Sequence, residues 1–211
     1  MSPKVTNQNL EEYISELRSA LMRNEDCGTT HYNLAVALVK KGAWEEAVAE
    51  FKAAIESTPT LAEAYVDLGG IYFQQGDLES CLRLNREAVK VRPRFSVPYG
   101  NLGFAYLQQG EIDAAIEALE KAVEINPQFV QAQATLASAY FMRGRVDESI
   151  AASLQALDQM PGFAVAHNNL ALGYLEKGDF QEAIRHVDLA LQYGYPVDPK
   201  FLAELEPYRE K

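Results

Sequence analysis

Apolar residues between Ser96 and Phe129 lie on two helical stripes with a glycine between them. Tyr99, Leu102, Gly103 and Tyr106 occupy i, i+3, i+4 and i+7, the spacing that gathers side chains on one face of an α-helix. Gly110 ends that stripe, since glycine costs about 1 kcal/mol in a helix interior and takes positive φ without strain. A second stripe runs through Ile112, Ala115, Ile116, Leu119, Ala122 and Val123. It stops at Asn126-Pro127, because proline biases the preceding residue out of the helical region. The pattern predicts a helical hairpin of about 34 residues.

The same pattern recurs along the chain. The glycine between the stripes appears as Gly42, Gly76, Gly110, Gly144 and Gly178, a constant step of 34. Leu34, Leu68, Leu102, Leu136 and Leu170 keep that step, as do Ala54, Ala88, Ala122, Ala156 and Ala190. Pro59, Pro93, Pro127 and Pro161 close the first four copies, while Tyr195 takes the proline place in the fifth and Pro196 follows it. Helices of about 13 residues are too short to persist alone, so stacking on neighbours has to stabilise them.

A period of 34 with aromatic, Leu, small, Tyr, Ala, Ala and Pro landmarks resembles the tetratricopeptide repeat (TPR). The resemblance implies an all-α, right-handed solenoid of five hairpins, at 28–61, 62–95, 96–129, 130–163 and 164–197. Small residues are expected where paired helices cross: Ala35, Gly69, Gly103, Ala137 and Ala171, facing Ala47, Cys81, Ala115, Ser149 and Ala183. Cys81 reads as a small buried hydrophobe of that column. Trp44, Leu78, Ile112, Val146 and Phe180 form a further column expected to point inward. The fourth copy departs most, with Gln133 and Ser153 where large apolar residues are expected, and should be the softest joint.

Both ends read as caps. Residues 1–27 divide into a loose tail at 1–6 and a helix carrying Leu10, Tyr13, Ile14, Leu17, Leu21 and Met22. Projected back one period, Leu17 and Ala20 fall in the columns of Phe51 and Ala54, so this helix is a half repeat; a detachable docking arm is the alternative. Across 198–211, Asp198-Pro199 has the form of an N-cap with proline at the first helical position, followed by Phe201, Leu202 and Leu205 on one face.

A formal charge of −11 argues against a nucleic-acid phosphate binder, which needs a basic face, and against attraction to anionic membranes. Two cysteines provide neither a disulfide framework nor metal spacing. No apolar run reaches membrane-spanning length and no leader pattern opens the chain, so a cytoplasmic location is expected, without membrane insertion. No catalytic, cofactor or metal constellation emerges. His31 and His167 share the column of Tyr65 and Tyr99 and read as packing rings, while His186 stands apart from both in register. Carboxylates such as Glu45-Glu46 and Asp147-Glu148 follow the glycines, where they complement a helix dipole. An enzyme is therefore not expected.

The family binds ligands chiefly on the concave face lined by each repeat's first helix. Carried onto this chain, that face gives a candidate peptide groove of Asn33, Val36, Asp67, Phe73, Asn101, Phe104, Leu107, Phe141, Asn169 and Leu172. In the family, asparagines in the Asn33, Asn101 and Asn169 column clamp extended peptide backbones; here the second and fourth copies substitute Asp67 and Thr135. Val66, Val97 and Val165 extend an apolar strip of the kind that marks a partner site. The basic clamp that some family members use for chaperone carboxylates is missing: Lys40 is the sole cation on these positions, beside acidic Glu63, Asp67 and Glu176. Arg83, Arg86 and Lys90, with Arg92 and Arg94 beyond, make a basic patch on the opposite side, read either as a solvated face or as a docking surface for an acidic partner. The expected function is a protein-interaction scaffold or adaptor for a peptide or helical segment. The alternative is a structural protein that self-associates through its N-terminal helix or convex face into a homo-oligomer.

Overall fold

The computed structural model describes residues 7–209, and the expected tail at 1–6 lies outside the described residues. Twelve α-helices form among the described residues, with no strand. The chain divides into two compact units, residues 1–98 and 99–211.

The first unit holds α1 (Asn7–Leu21), α2 (Gly28–Lys41), α3 (Trp44–Ser57), α4 (Ala62–Gln74) and α5 (Leu78–Val91). Each of these helices packs on its sequence neighbour. Gly42 ends α2 at φ 83°, and the next amide, Ala43 N–H, donates back to the Leu38 carbonyl at 2.9 Å. This left-handed closure needs glycine, and it satisfies carbonyls that a helix end otherwise leaves bare. Gly76 repeats it at φ 80°, with Asp77 N–H donating to the Tyr72 carbonyl. The second helices end without positive φ: Thr58 and Arg92 are extended ahead of Pro59 and Pro93. One apolar core collects Leu34, Leu38, Phe51, Leu68 and Ile71, and α1 inserts Ile14 into it. Ion pairs from Arg18 to Glu46 and from Lys41 to Glu11 flank that contact. Tyr13 and Met22, expected in the apolar stripe of α1, are exposed instead. Nine residues apart, they stand half a turn from each other and make no continuous patch.

Gly69 brings α4 close to α5, because a Cβ there would lie 2.7 Å from Asn85 Nδ2. That buried amide donates to the Cys81 carbonyl at 2.9 Å. Cys81 is itself buried, and burial pushes its thiol up to about 11, as befits a packing residue. Trp44 departs from its expected inward place. Leu78 and the equivalent Ile112, Val146 and Phe180 are half-buried, but the larger indole runs past the space and is 41% exposed.

The second unit holds α6 (Ser96–Gln109) from Tyr99 onward, then α7 (Ile112–Ile125), α8 (Val130–Met142), α9 (Val146–Gln159), α10 (Ala164–Glu176), α11 (Phe180–Gln192) and α12 (Pro199–Leu205). Gly110, Gly144 and Gly178 close the first helix of each hairpin as Gly42 does. Gly194, at φ 85°, gives α11 the same ending, with Tyr195 N–H donating to the Ala190 carbonyl. A glycine closure therefore replaces the proline ending of the earlier copies. Asp198 caps α12 by accepting from Lys200 N–H at 2.8 Å, with Pro199 at the first helical position. Phe201 and Leu205 bury against Ala183, Val187 and Ala190 of α11. A 3-10 turn, Glu206–Tyr208, continues α12, and the Tyr208 ring stacks on Phe180 with centroids 3.6 Å apart. Gln133 and Ser153 are both buried, and both are satisfied: Gln133 donates to the Pro127 carbonyl at 2.7 Å and Ser153 to the Ser149 carbonyl at 2.8 Å.

Candidate functional site

In the second unit, α6, α8 and α10 place their matching faces side by side. Phe104 is 39% exposed, although a phenylalanine at a core-facing helical position would be covered. It borders a pocket of about 280 Å³ with Leu107, Phe163 and Val165 as its other large apolar walls. Gln108 of α6 and Gln131, Thr135 and Ser138 of α8 supply the polar part of the lining, and no lining residue is charged. Leu107 packs against the core around Leu119 and Leu136, while Phe163 and Val165 pack against Val130 and Ala166. The walls are thus held by their own cores, and Phe104 is the wall with a free face.

Polar groups beneath the pocket are already paired. Thr135 Oγ1 donates to the Gln131 carbonyl at 2.7 Å. Asn169 is 4% exposed, and its Nδ2 donates to the Ala134 carbonyl at 2.8 Å while its Oδ1 accepts from Ser138 Oγ at 3.1 Å. Asn169 therefore fastens α10 to α8, and its amide is not presented for a peptide clamp. The oxygen and one of the two amide N–H groups expected to serve a peptide are thus spent on the neighbouring helix. Asn101, Phe141 and Leu172 are half-buried, and Leu172 rests against the core of α11 and α12.

In the first unit, the equivalent positions are more polar. Asn33, Val36, Asp67 and Phe73 are half-buried, and Val36 packs onto the core. Asp67 accepts from the Tyr32 hydroxyl at 2.9 Å. Burial raises the pKa of both groups, and Asp67 raises that of Tyr32 further. Val66, expected in the apolar strip, is 7% exposed and belongs to the core. Gly70 faces open space.

The basic patch is smaller than its sequence suggested. Arg92 turns to α4 and grips Glu63 with two bonds, at 2.6 and 3.1 Å, holding that carboxyl below its ordinary range. Lys90 pairs with Glu87 at 2.7 Å. Arg83, Arg86 and Arg94 are exposed.

Two histidines expected to be apart are in contact. His167 Nδ1 lies 2.9 Å from His186 Nδ1, and both rings are buried. His167 Nε2–H donates to the Pro161 carbonyl at 2.9 Å, so its Nδ1 is the acceptor and His186 Nδ1–H the donor. Tyr193 stacks on His167 and Tyr174 on His186. Burial, then the neighbouring His167, push His186 down to about 4, which keeps the His186 ring neutral near pH 7. Its 3.7 Å approach to Glu182 is then no ion pair. The signal was present in the sequence: these residues are 19 apart, as are His31 and Glu50, which also meet, at 2.6 Å. No group of three or more potential metal ligands occurs among the described residues. Nor is any of their helices long and apolar enough to cross a membrane.

Models of the tetratricopeptide repeat match residues 62–95 and 97–129, and a TPR-repeat model matches residues 35–76. The chain is a tetratricopeptide-repeat protein. No curated protein sequence matches it. Among solved structures, this TPR protein is similar to PilF of Pseudomonas aeruginosa, with a TM-score of 0.80 at 21% identity, over 97% of this chain and 91% of that one. The TPR protein YrrB, described as having an unusual peptide-binding site, gives 0.74 at 21% identity, over 90% and 97% of the two chains. MamA gives 0.68 at 26% identity, over 76% and 94%. The repeats are those of a protein-interaction scaffold, a fold that is typically non-catalytic.

Proposed function

We propose that this TPR protein is a non-enzymatic adaptor whose first-helix faces hold an apolar segment of a protein partner. The expected repeat boundaries, with α1 and α12 as end caps, belong to this reading. The observation that carries it is the exposed Phe104 beside an uncharged, largely apolar pocket in which the Thr135 and Ser138 hydroxyls are already bonded. A guest side chain there gains burial without leaving a charge unpaired. Leu107, Phe141 and Leu172 add apolar area on the same helices, and Asn101 is a candidate for a backbone contact in this unit. In the first unit, Asn33, Val36, Asp67 and Phe73 form a more polar face suited to a partner's main chain. YrrB, whose description names a peptide-binding site, supports such a use of this fold.

Affinity capture from a native lysate, followed by titration of the recovered partner, tests the reading. Phe104→Ala should weaken binding by about 2 kcal/mol or more if the ring is a hot spot. Asn101→Ala should cost about 0.5–1.5 kcal/mol, the worth of one neutral hydrogen bond. Wild-type affinity in both variants, with unchanged circular dichroism, would remove the pocket face from the function. Reversal of Arg83 and Arg86 to Glu serves as the comparison: a partner lost only in that variant binds the α5 patch.

A further inference from the structure

We infer that the cleft between α7 and α9 is a second binding site, for an arginine side chain presented by a partner's protein segment. Its origin is a break in one column. The place held by His31, Tyr65, Tyr99 and His167 in the other copies is Gln133 in the fourth. Gln133 does not fill a ring's space: its amide folds back on the Pro127 carbonyl, which also accepts from Gln159 Nε2 at 2.8 Å. The residue 19 further on, His186 in the fifth copy, is only Ala152 here. An open cleft of about 560 Å³ results.

The lining has two characters. Val123, Leu136 and Tyr140 form an apolar floor anchored in the core around Leu119. Glu124, Asp158 and the carboxamide of Gln155 stand at the mouth as acceptors. Asp158 pairs with no cation among the described residues, whereas Glu124 takes an exposed bond from Lys121 at 2.8 Å. Glu120 is already occupied, accepting from the Tyr140 hydroxyl at 2.7 Å and lying 4.0 Å from Arg145, whose guanidinium sits over one face of the Tyr140 ring at 4.3 Å.

An apolar floor below anionic acceptors matches a side chain with an aliphatic stem and a cationic head. Arginine fits better than lysine, because its five planar donors can meet carboxylates and a carboxamide oxygen in several directions together. The chain's charge of −11 draws such a ligand in. The cleft does not share a face with the Phe104 pocket. α8 turns Gln131, Ala134, Thr135 and Ser138 to the pocket, and Gln133, Leu136 and Tyr140 to the cleft, on opposite sides of one helix. The two sites can therefore fail independently.

The test is a titration of the isotope-labelled full chain with acetyl-Gly-Arg-Gly-amide, followed by amide chemical shifts. The control is the same peptide with citrulline, which keeps the shape and removes the charge. Saturable shifts confined to residues 120–127 and 133–159 are expected, with a dissociation constant in the millimolar range suited to a single side chain. Citrulline should bind at least about tenfold more weakly. Gln133→Tyr, which restores the column's ring, should abolish the shifts and raise the melting temperature. Asp158→Asn should weaken binding several-fold without touching the packing, and serves alone if the tyrosine variant does not fold. Phe104→Ala should leave the titration unchanged. Absence of saturable shifts, equal shifts from citrulline, or binding that survives in both folded cleft variants overturns the site.

Discussion

Two histidines of this chain respond to pH with opposite signs. His186 is buried and held down to about 4, against an unfolded value near 6.5. A base depressed in this way gives stability that is fully present above the unfolded pKa. As pH falls from about 6.5 toward 4, the unfolded chain takes up a proton that the folded chain refuses, and stability declines by about 1–3 kcal/mol. His31 runs the other way. Burial opposes its charged form, but the Glu50 carboxylate at 2.6 Å and the Glu25 carbonyl at 2.8 Å outweigh it and raise its pKa. Its contribution is complete below about 6.5 and is lost as pH rises through the folded value. Thermal melts across pH should therefore fall away on both sides. His186→Asn, which keeps an N–H where Nδ1–H was, should flatten the acid limb above pH 4.5, and His31→Gln the alkaline limb. An acid limb unchanged by His186→Asn would mean that His186 is not the titrating group. The sequence showed His31 and His167 as packing rings in one column and set His186 apart. It hid the pairing because column membership was read one helix at a time, whereas a separation of 19 joins the two helices of one hairpin.

At the scale of single helices, burial on one side was legible and burial at the ends was less so. The α12 cap illustrates the legible part: an Asp-Pro start and three apolar residues on one face specify a short helix with something to cover. Phe201 and Leu205 do cover the core of α11, and Arg209 adds a two-bond grip on Asp188 at 2.6 and 3.0 Å. Trp44 illustrates the rest, since column position gave its direction but not whether an indole would fit. α12 has only seven residues and cannot be helical alone, so its order comes from the surface it covers. Deleting residues 198–211 should therefore expose Val187 and Ala190, lower the melting temperature and promote aggregation. Leu205→Ala is the milder form of the same test, expected to cost about 2–5 kcal/mol as a buried leucine truncation. An unchanged melting curve and a monodisperse truncated protein would show that α11 needs no cover.

Among the described residues, the period of 34 carried the all-helical fold because packing residues recur with it. Partner-facing residues do not recur, so Asn169 could look like a clamp in the sequence and be an internal fastener in the structure. Unequal copies also imply unequal stability, since a repeat array is held by its local interfaces. The hairpin of α8 and α9 buries mostly small or polar groups, such as Ala132, Gln133, Thr135, Ser149 and Ser153. The hairpin of α6 and α7 buries Leu102, Ile116 and Leu119. Met142, Leu154 and Met160 are exposed in the former, and its buried Ser149 Oγ has no hydrogen-bond partner among the described residues. Each apolar Å² left in water forgoes about 25 cal/mol, and an unpaired buried hydroxyl costs about 1–3 kcal/mol. The bonds of Gln133 and Ser153 remove their penalties without replacing the apolar burial that a ring would bring. Native-state hydrogen exchange should therefore be faster in residues 130–163 than in 99–129, within the same unit. Gln133→Tyr should slow exchange in the first segment and leave the second nearly unchanged. Equal protection of both segments in the natural sequence would show that this unit opens only as a whole, with the weak hairpin carried by its neighbours.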